Sequence, residues 1–451
     1  MRTTTGILPL INLLLCGLAP HADAADLNVG TSAVKLVADD SMVIAGSILP
    51  KYAKGQEGEL RIVATVLEKP NQAKLAIVAG DVLFVTRDFV DAALVEIEKT
   101  TGIPASHVLV NATHTHHAPS ITAVHGYSTD KVFRERVRKG IVQAVQRANA
   151  GLKNGAADFY FHLGEEKTVG ANSRLLLKDG KISWIGSRGS AVRPTGPFDP
   201  QLPVLAFRGA NDQLRALIFN HSTHTIGTRR GAVRSPSFYG LAAQELEGEL
   251  GGVVTFLEGA SGSTHNITPV PTAEAVIRMK QAVAAALKQA QRRPVPRLAS
   301  IKRPFRFEVR TFDDGVEDEK VSSYCRKYAP QQCVEPFVTV FRDMRKQLKP
   351  QQGQPRETWL QVTLIGDVAI VGVPAEYFTS LGVEIKRRSP FPNTYVAELA
   401  NDWIGYLPDR EGHKLGGYQT WMGLHSYAEV GTGERIVDEV VGMLAELKKA
   451  E

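Results

Sequence analysis

Three apolar runs of this chain end in the same way, and that repetition constrains the fold more than any other feature. Val108–Val110 leads into Asn111-Ala-Thr-His114-Thr-His116-His117-Ala-Pro-Ser120. Leu214–Phe219 leads into Asn220-His221-Ser-Thr-His224-Thr225, and Val253–Leu257 into Glu258-Gly-Ala-Ser-Gly-Ser-Thr-His265-Asn266. A short apolar run bounded by polar breaks reads as a buried strand. In an extended chain alternate side chains share a face, so His114 and His116 point one way and His117 the other. Two imidazoles on one face suit a divalent metal, zinc first. Strands that end alike are what a metal site between strand termini requires. Glycines in the third loop let backbone approach a ligand closely. The competing reading, polar strand ends with histidines satisfied by backbone, weakens with each strand that repeats the pattern.

The remaining pattern is α/β. Residues 60–67 and 75–79 read as strands. Val90, Ala93, Leu94 and Ile97 form a helical stripe ended by Thr101-Gly102, and the histidine strand follows, which makes a βαβ unit. Amphipathic helices are predicted over 129–149, 236–249, 271–291 and 433–449. Residues 359–373 read as a double strand turning at Gly366-Asp367. Pro374 then opens a predicted helix with Glu376 in its first turn, where an acid ordinarily compensates the helix dipole. The charged stretch 295–356 is expected to hold a helical excursion near 318–348 that flanks the mouth of the site. No linker divides the chain, so residues 25–451 read as one unit of mixed β-sheets flanked by helices.

The composition, 43% hydrophobic and 22% charged, is that of an ordinary globular protein. A net charge of +6 is spread without a basic block, so nucleic acid is not an expected partner. Arg2, the apolar stretch Ile7–Leu18 and Ala22-Asp-Ala24 together read as a signal peptide over residues 1–24. The mature protein is therefore expected to be exported, either periplasmic or secreted. Cys16 follows Leu15 rather than a small residue, which argues against a lipid anchor. Cys325 and Cys333 remain, and an oxidising compartment predicts a local disulfide between them.

Five stretches, in order and across nearly the whole mature chain, resemble the catalytic domain of the neutral/alkaline, non-lysosomal ceramidase family. They are Asn111-Ala-Thr-His-Thr-His116, Asn220-His-Ser-Thr-His224, Gly259-Ala-Ser-Gly-Ser-Thr-His265, Gly372-Val-Pro-Ala-Glu-Tyr-Phe-Thr379, and Gly405-Tyr-Leu-Pro408 followed by Gly417-Tyr418. The resemblance implies a zinc site made by His114, His224, Glu376 and Tyr406. It places His116 towards the substrate, Tyr418 on the reacting group, Arg174 in the pocket and Gly46 at its floor. It also implies substrate contacts from the loop that holds Ser263 and His265. That loop departs from the family's Gly-Asp-Val-Ser-Pro-Asn type, since Ser263 stands where the family has Asp. The family's C-terminal immunoglobulin-like domain has no counterpart after the closing helix.

The function implied is hydrolysis of the N-acyl bond of ceramide or a related N-acyl compound by metal-activated water. His116, Tyr418 and Arg174 would stabilise the oxyanion or pass a proton. An esterase, lactonase or carbohydrate-directed hydrolase on the same scaffold is the alternative enzyme, because fold does not fix substrate. A catalytically silent binding protein is the alternative from another class, and retention of all the implied ligands argues against it. The expected partner is a small-molecule or lipid substrate, with transient contact at a membrane surface.

Overall fold

A computed structural model describes residues 27–266 and 270–450; the expected signal peptide lies outside them. Several strands are apolar on both faces, and this forces a layered arrangement. In Ala73–Gly80, Ala76 and Val78 pack with Val90 and Ile97 of the helix Arg87–Thr101 and Ile141 of Lys131–Gly151. The alternate residues Leu75, Ile77 and Ala79 pack the opposite way. A nine-stranded sheet results. Its main path runs Val253–Glu258, Leu214–His221, Gln201–Arg208, Ala156–Glu165, Leu27–Lys35, Arg61–Lys69, Ala73–Gly80, Val108–Ala112. Ala73–Gly80 and Val108–Ala112 pair in parallel across the first helix, which is the expected βαβ unit. Leu214–His221 and Val253–Glu258 are also parallel, across the helix Ser237–Leu250.

A second sheet, Leu298–Glu308, Pro355–Ile365, Val368–Val373 and Asn393–Glu398, stacks on the first. Its Ile365, Val368, Ile370 and Tyr395 join Leu75, Ile77, Phe159 and Phe207 in the buried layer between sheets. Its outer face, with Val362, Leu364 and Val371, is covered by the helices Thr379–Arg388 and Thr432–Lys449. Ser237–Leu250 and Thr272–Gln289 cover Val204, Phe219, Val254 and Phe256 of the large sheet. The layers therefore run helix, sheet, sheet, helix.

The large sheet curls. Val253–Glu258 and Val108–Ala112 stand at opposite ends of its path, yet the Glu258 N–H donates to Asn111 Oδ1 at 3.1 Å. The Asn111 side chain also donates to the carbonyl of Glu398. Asn220 Nδ2 donates to the carbonyls of Leu257 and Val396, both at 2.9 Å. Two buried asparagines thus tie together the C-terminal ends of four strands, and the site lies where those ends meet.

The charged stretch folds as two helices, Asp314–Tyr328 and Val334–Leu348, the second carrying Phe341 against Tyr418. Cys325 and Cys333 are free, contrary to the expected disulfide. Cys325 faces the core beside Val321 and Tyr324, while Cys333 lies in the following turn, half-buried. Burial pushes the Cys325 thiol up to about 11. No helix among the described residues is long and apolar enough to cross a membrane.

Candidate metal centre and active site

Beyond Ala112 the chain leaves its strand, and His114 takes a left-handed conformation with φ +60°. Such a backbone is uncommon for a residue other than glycine. His114 and His116 therefore do not share a strand face. A turn brings their Nε2 atoms to 3.2 Å instead. His117 does point away, accepting the Gly227 N–H at 2.9 Å. His221 also leaves the cluster, with its Nε2 2.9 Å from the Glu166 carbonyl and its Nδ1 beside the Tyr239 hydroxyl.

Glu376 is not in a helix's first turn, because the helix begins at Thr379. Glu376–Tyr377 is a two-residue strand paired in parallel with Tyr406–Leu407, in a register that sets Glu376 beside Tyr406. The Glu376 Oε2 atom lies 3.5 Å from His114 Nε2 and 3.3 Å from His224 Nε2. The Tyr406 hydroxyl is 3.1 Å from His224 Nε2. The residues expected to bind metal are therefore brought together, and His116 stands as close to His114 as they do. The ligating atoms of His114, His116 and His224 all lie within 4.8 Å of one another.

The tautomers follow from the second contact of each ring. His114 Nδ1 is 2.8 Å from the Leu83 carbonyl, His116 Nδ1 3.1 Å from that of Gly46, and His224 Nδ1 2.9 Å from that of Ser261. A nitrogen facing a carbonyl carries the proton, so all three Nε2 atoms present lone pairs to one another and to a carboxylate. Of these groups and Tyr406, the phenol alone has a hydrogen to donate. Such a convergence could hold a metal ion, and the mixed nitrogen and oxygen donors suit zinc. His114, His224, Glu376 and Tyr406 would hold it, with His116 alongside.

Electrostatics agree with this. Burial alone would raise the Glu376 carboxyl; positive charge at His114 and His224 would hold it well below the usual range, and with neutral rings a cation between them would supply that charge. Burial and His114 lower His224, and burial with His114 and His224 lowers His116 further, so both rings stay neutral. Burial and Glu376 raise the Tyr406 phenol.

Gly46 packs directly against the His116 ring. At φ +90° a Cβ there would come 2.4 Å from His116 Nδ1, so only glycine fits. His265 stacks on His224 with centroids 4.1 Å apart. The buried Ser263 is engaged by Thr379: its hydroxyl accepts the Thr379 N–H and donates to Thr379 Oγ1, both at 3.1 Å. Tyr418 stacks on Trp184 at 4.6 Å, and its hydroxyl is 3.2 Å from His125 Nε2. Arg174 does not reach the cluster. Its guanidinium donates to Gln419 Oε1 at 2.7 Å and to the carbonyls of Gly412 and Gly416 at 3.1 and 2.7 Å, and it lies over Phe378. It anchors the segment that presents Tyr418.

Three contributors were not singled out from the sequence. Trp403 Nε1 donates to Glu376 Oε1 at 3.1 Å, Glu398 braces the backbone beside Glu376, and His125 meets Tyr418. Half-buried Trp184 stacks on Tyr418 and Phe337 packs on Trp184, which puts aromatic surface beside Tyr418.

No protein-family model and no curated protein matches the chain. Solved structures do. One is a neutral ceramidase from Pseudomonas aeruginosa, with TM-score 0.74 and 18% identity over 95% of this chain and 75% of that one. Another is a ceramidase complexed with C2, with TM-score 0.73 and 19% identity over 94% and 76%. The layered α/β fold is that of these neutral ceramidase structures.

Proposed function

We propose that this protein is an exported zinc-dependent hydrolase of amide bonds, acting on the N-acyl bond of ceramide or a related N-acyl compound. One observation carries the reading: three imidazole lone pairs, a carboxylate and a phenol converge on one point at the strand ends of this fold. A bound zinc would supply a water acidified towards neutrality and a Lewis acid for the scissile carbonyl. His116, kept neutral by burial and its neighbours, stands ready to take a proton at Nε2. Tyr418 would donate its hydroxyl hydrogen to the developing oxyanion, with its ring held by Trp184 and its oxygen by His125. Arg174 acts on the reaction through the Gly412–Gln419 segment, not by touching substrate. The aromatic surface of Trp184 and Phe337 beside Tyr418 favours an acyl or alkyl chain over a polar substrate.

The test is hydrolysis of a fluorescent ceramide in detergent by the mature protein, zinc-loaded and chelated. Turnover should vanish on chelation and return with zinc. No turnover from protein confirmed to hold zinc would reject ceramide and turn the search to other amides or esters. Unchanged zinc content in both His114→Ala and His224→Ala would reject the centre itself.

A further inference from the structure

A cavity of about 460 Å³ lies outside the metal centre, between the turn at Gly180–Ile182, the helix Asp314–Tyr328 and the segment His413–Gly417. Trp421 and Tyr324 line it, and Trp421 packs edge-on against Tyr418 and Trp184, whose rings stack on each other in the active site. Aromatic rings thus stand between the cavity and the cluster of His114 and Glu376.

The polar lining is unbalanced. Lys181, Arg310, Lys320, His413 and Lys414 face one lining carboxylate, Glu317, and the largely exposed Lys414 also lies 3.8 Å from Glu411 outside the lining. Glu317 is already engaged, by the Met422 N–H at 3.0 Å and the Lys320 ammonium at 2.6 Å. Arg310 donates to the carbonyls of Thr420 and Ser426, at 2.8 and 3.1 Å, and to His413 Nδ1 at 3.0 Å. All three acceptors are uncharged, and Arg310 has no ion pair among the described residues. Its contact makes His413 Nδ1 an acceptor, so the His413 proton sits on Nε2 as a further donor. Burial, Arg310 and Arg174 push His413 down to about 3, which keeps it a neutral donor.

We propose that this cavity binds a small organic anion, with an oxyanion head against Lys181, Arg310, His413 and Lys414 and an apolar body against Ile182, Leu415 and Trp421. Guanidinium and ammonium groups collected without a free carboxylate repel one another, and an oxyanion with charge-assisted hydrogen bonds offsets this. The segment at Lys181 leads to Trp184 and that at His413 leads to Tyr418. An anion bridging them braces the stacked pair of rings, which makes the cavity an effector site for the centre next to it.

The experiment is calorimetric titration of the full zinc-loaded protein at low salt with two probes, inorganic phosphate and octanoate. One-to-one binding of either supports the site: phosphate shows that the head suffices, and octanoate alone shows that the apolar wall is needed. Lys181→Glu with Lys414→Glu should weaken binding about tenfold or more, since each reversal replaces an attraction with a repulsion of surface ion-pair size. Hydrogen exchange across residues 412–421 should slow when the probe is bound. Neither probe binding at millimolar concentration, or binding that the double variant leaves unchanged, overturns the proposal. Because the readouts are binding and exchange, they stand whether or not the protein hydrolyses ceramide.

Discussion

The Glu398 carboxylate accepts the backbone N–H of Tyr377 at 2.6 Å, one residue beyond Glu376. The same oxygen accepts the Ser261 N–H at 3.0 Å, and the other accepts the Ser261 hydroxyl at 2.6 Å. Ser261 in turn holds His224 through its carbonyl. One fully buried side chain therefore ties together the segments that present two of the expected metal ligands. Burial raises the Glu398 carboxyl well above its ordinary value and the donors from Ser261 and Tyr377 oppose this, but in either protonation state Glu398→Ala removes the partner of all three donors. Zinc affinity should fall by about 10–100-fold, as for other changes to groups that orient metal ligands. Stability should fall by about 1–3 kcal/mol for each unmet buried polar group. A chelator-competition titration with a thermal melt checks both; wild-type zinc affinity in a folded variant would refute the role.

Gly46 supports His116 and none of the four proposed ligands. Its carbonyl holds the His116 ring, and the space where a Cβ would go is filled by that ring. Gly46→Ala should push His116 aside while leaving His114, His224 and Glu376 in place. An ångström-scale displacement of a reacting group can cost about 100-fold in rate, and kcat/KM for the proposed N-acyl substrate should fall on that order. Zinc content should not change. Loss of zinc together with activity would show instead that His116 is a ligand.

The fold was legible where burial acts on contiguous residues. Leu75 to Ala79 and Val108 to Val110 are apolar on both faces, so they read as central strands without knowledge of what covers them. The site was legible only in part. Alternation pairs His114 with His116, and the structure does bring them together, but through a left-handed residue that no periodicity encodes. Pro374 reads as a helix start, yet pairing with the distant Tyr406 takes Glu376 into a strand. Sequence proximity suggests that Cys325 meets Cys333, whereas helix packing turns Cys325 into the core. Arg174, Trp403, Glu398 and His125 act through partners far along the chain, which local pattern does not reveal. Asn111 and Asn220 each follow an apolar run just ahead of the histidines, and each joins strand ends, a role that their place in the motifs does not reveal.

Arg174 gives a prediction that separates positioning from chemistry. Lysine cannot reproduce a planar fork that serves Gln419, Gly412 and Gly416 together. Arg174→Lys should leave the Gly416 carbonyl or Gln419 Oε1 without its donor, at about 1–3 kcal/mol, while the Gly412 carbonyl keeps the Gly416 N–H. Tyr418 then loses its fixed position, so kcat should fall while KM and zinc content hold. A selective rise in KM would instead place Arg174 in contact with substrate.

His413 supplies a test in pH. Its ordinary value is 6.5, and burial with Arg310 and Arg174 lowers it to about 3 in the folded protein. Between those values the unfolded chain carries the proton and the folded chain does not. Unfolding therefore takes up a proton, acid favours the unfolded state, and this group makes stability rise with pH up to about 6.5, beyond which it has no effect. The limiting slope is about 1.4 kcal/mol per pH unit, and the part-open position of the ring reduces it. Buried Asp81, raised to about 6, acts in the opposite sense over part of the same range, so the whole-protein profile does not isolate the histidine. The difference between wild type and His413→Gln does. Glutamine can still accept from Arg310 and cannot titrate, so the variant should lose less stability than wild type between pH 6.5 and pH 4.5 in denaturant melts. Parallel profiles would mean that His413 takes up its proton in the folded state at an ordinary pH, and that the neutral donor assigned to the anion cavity is a charged one.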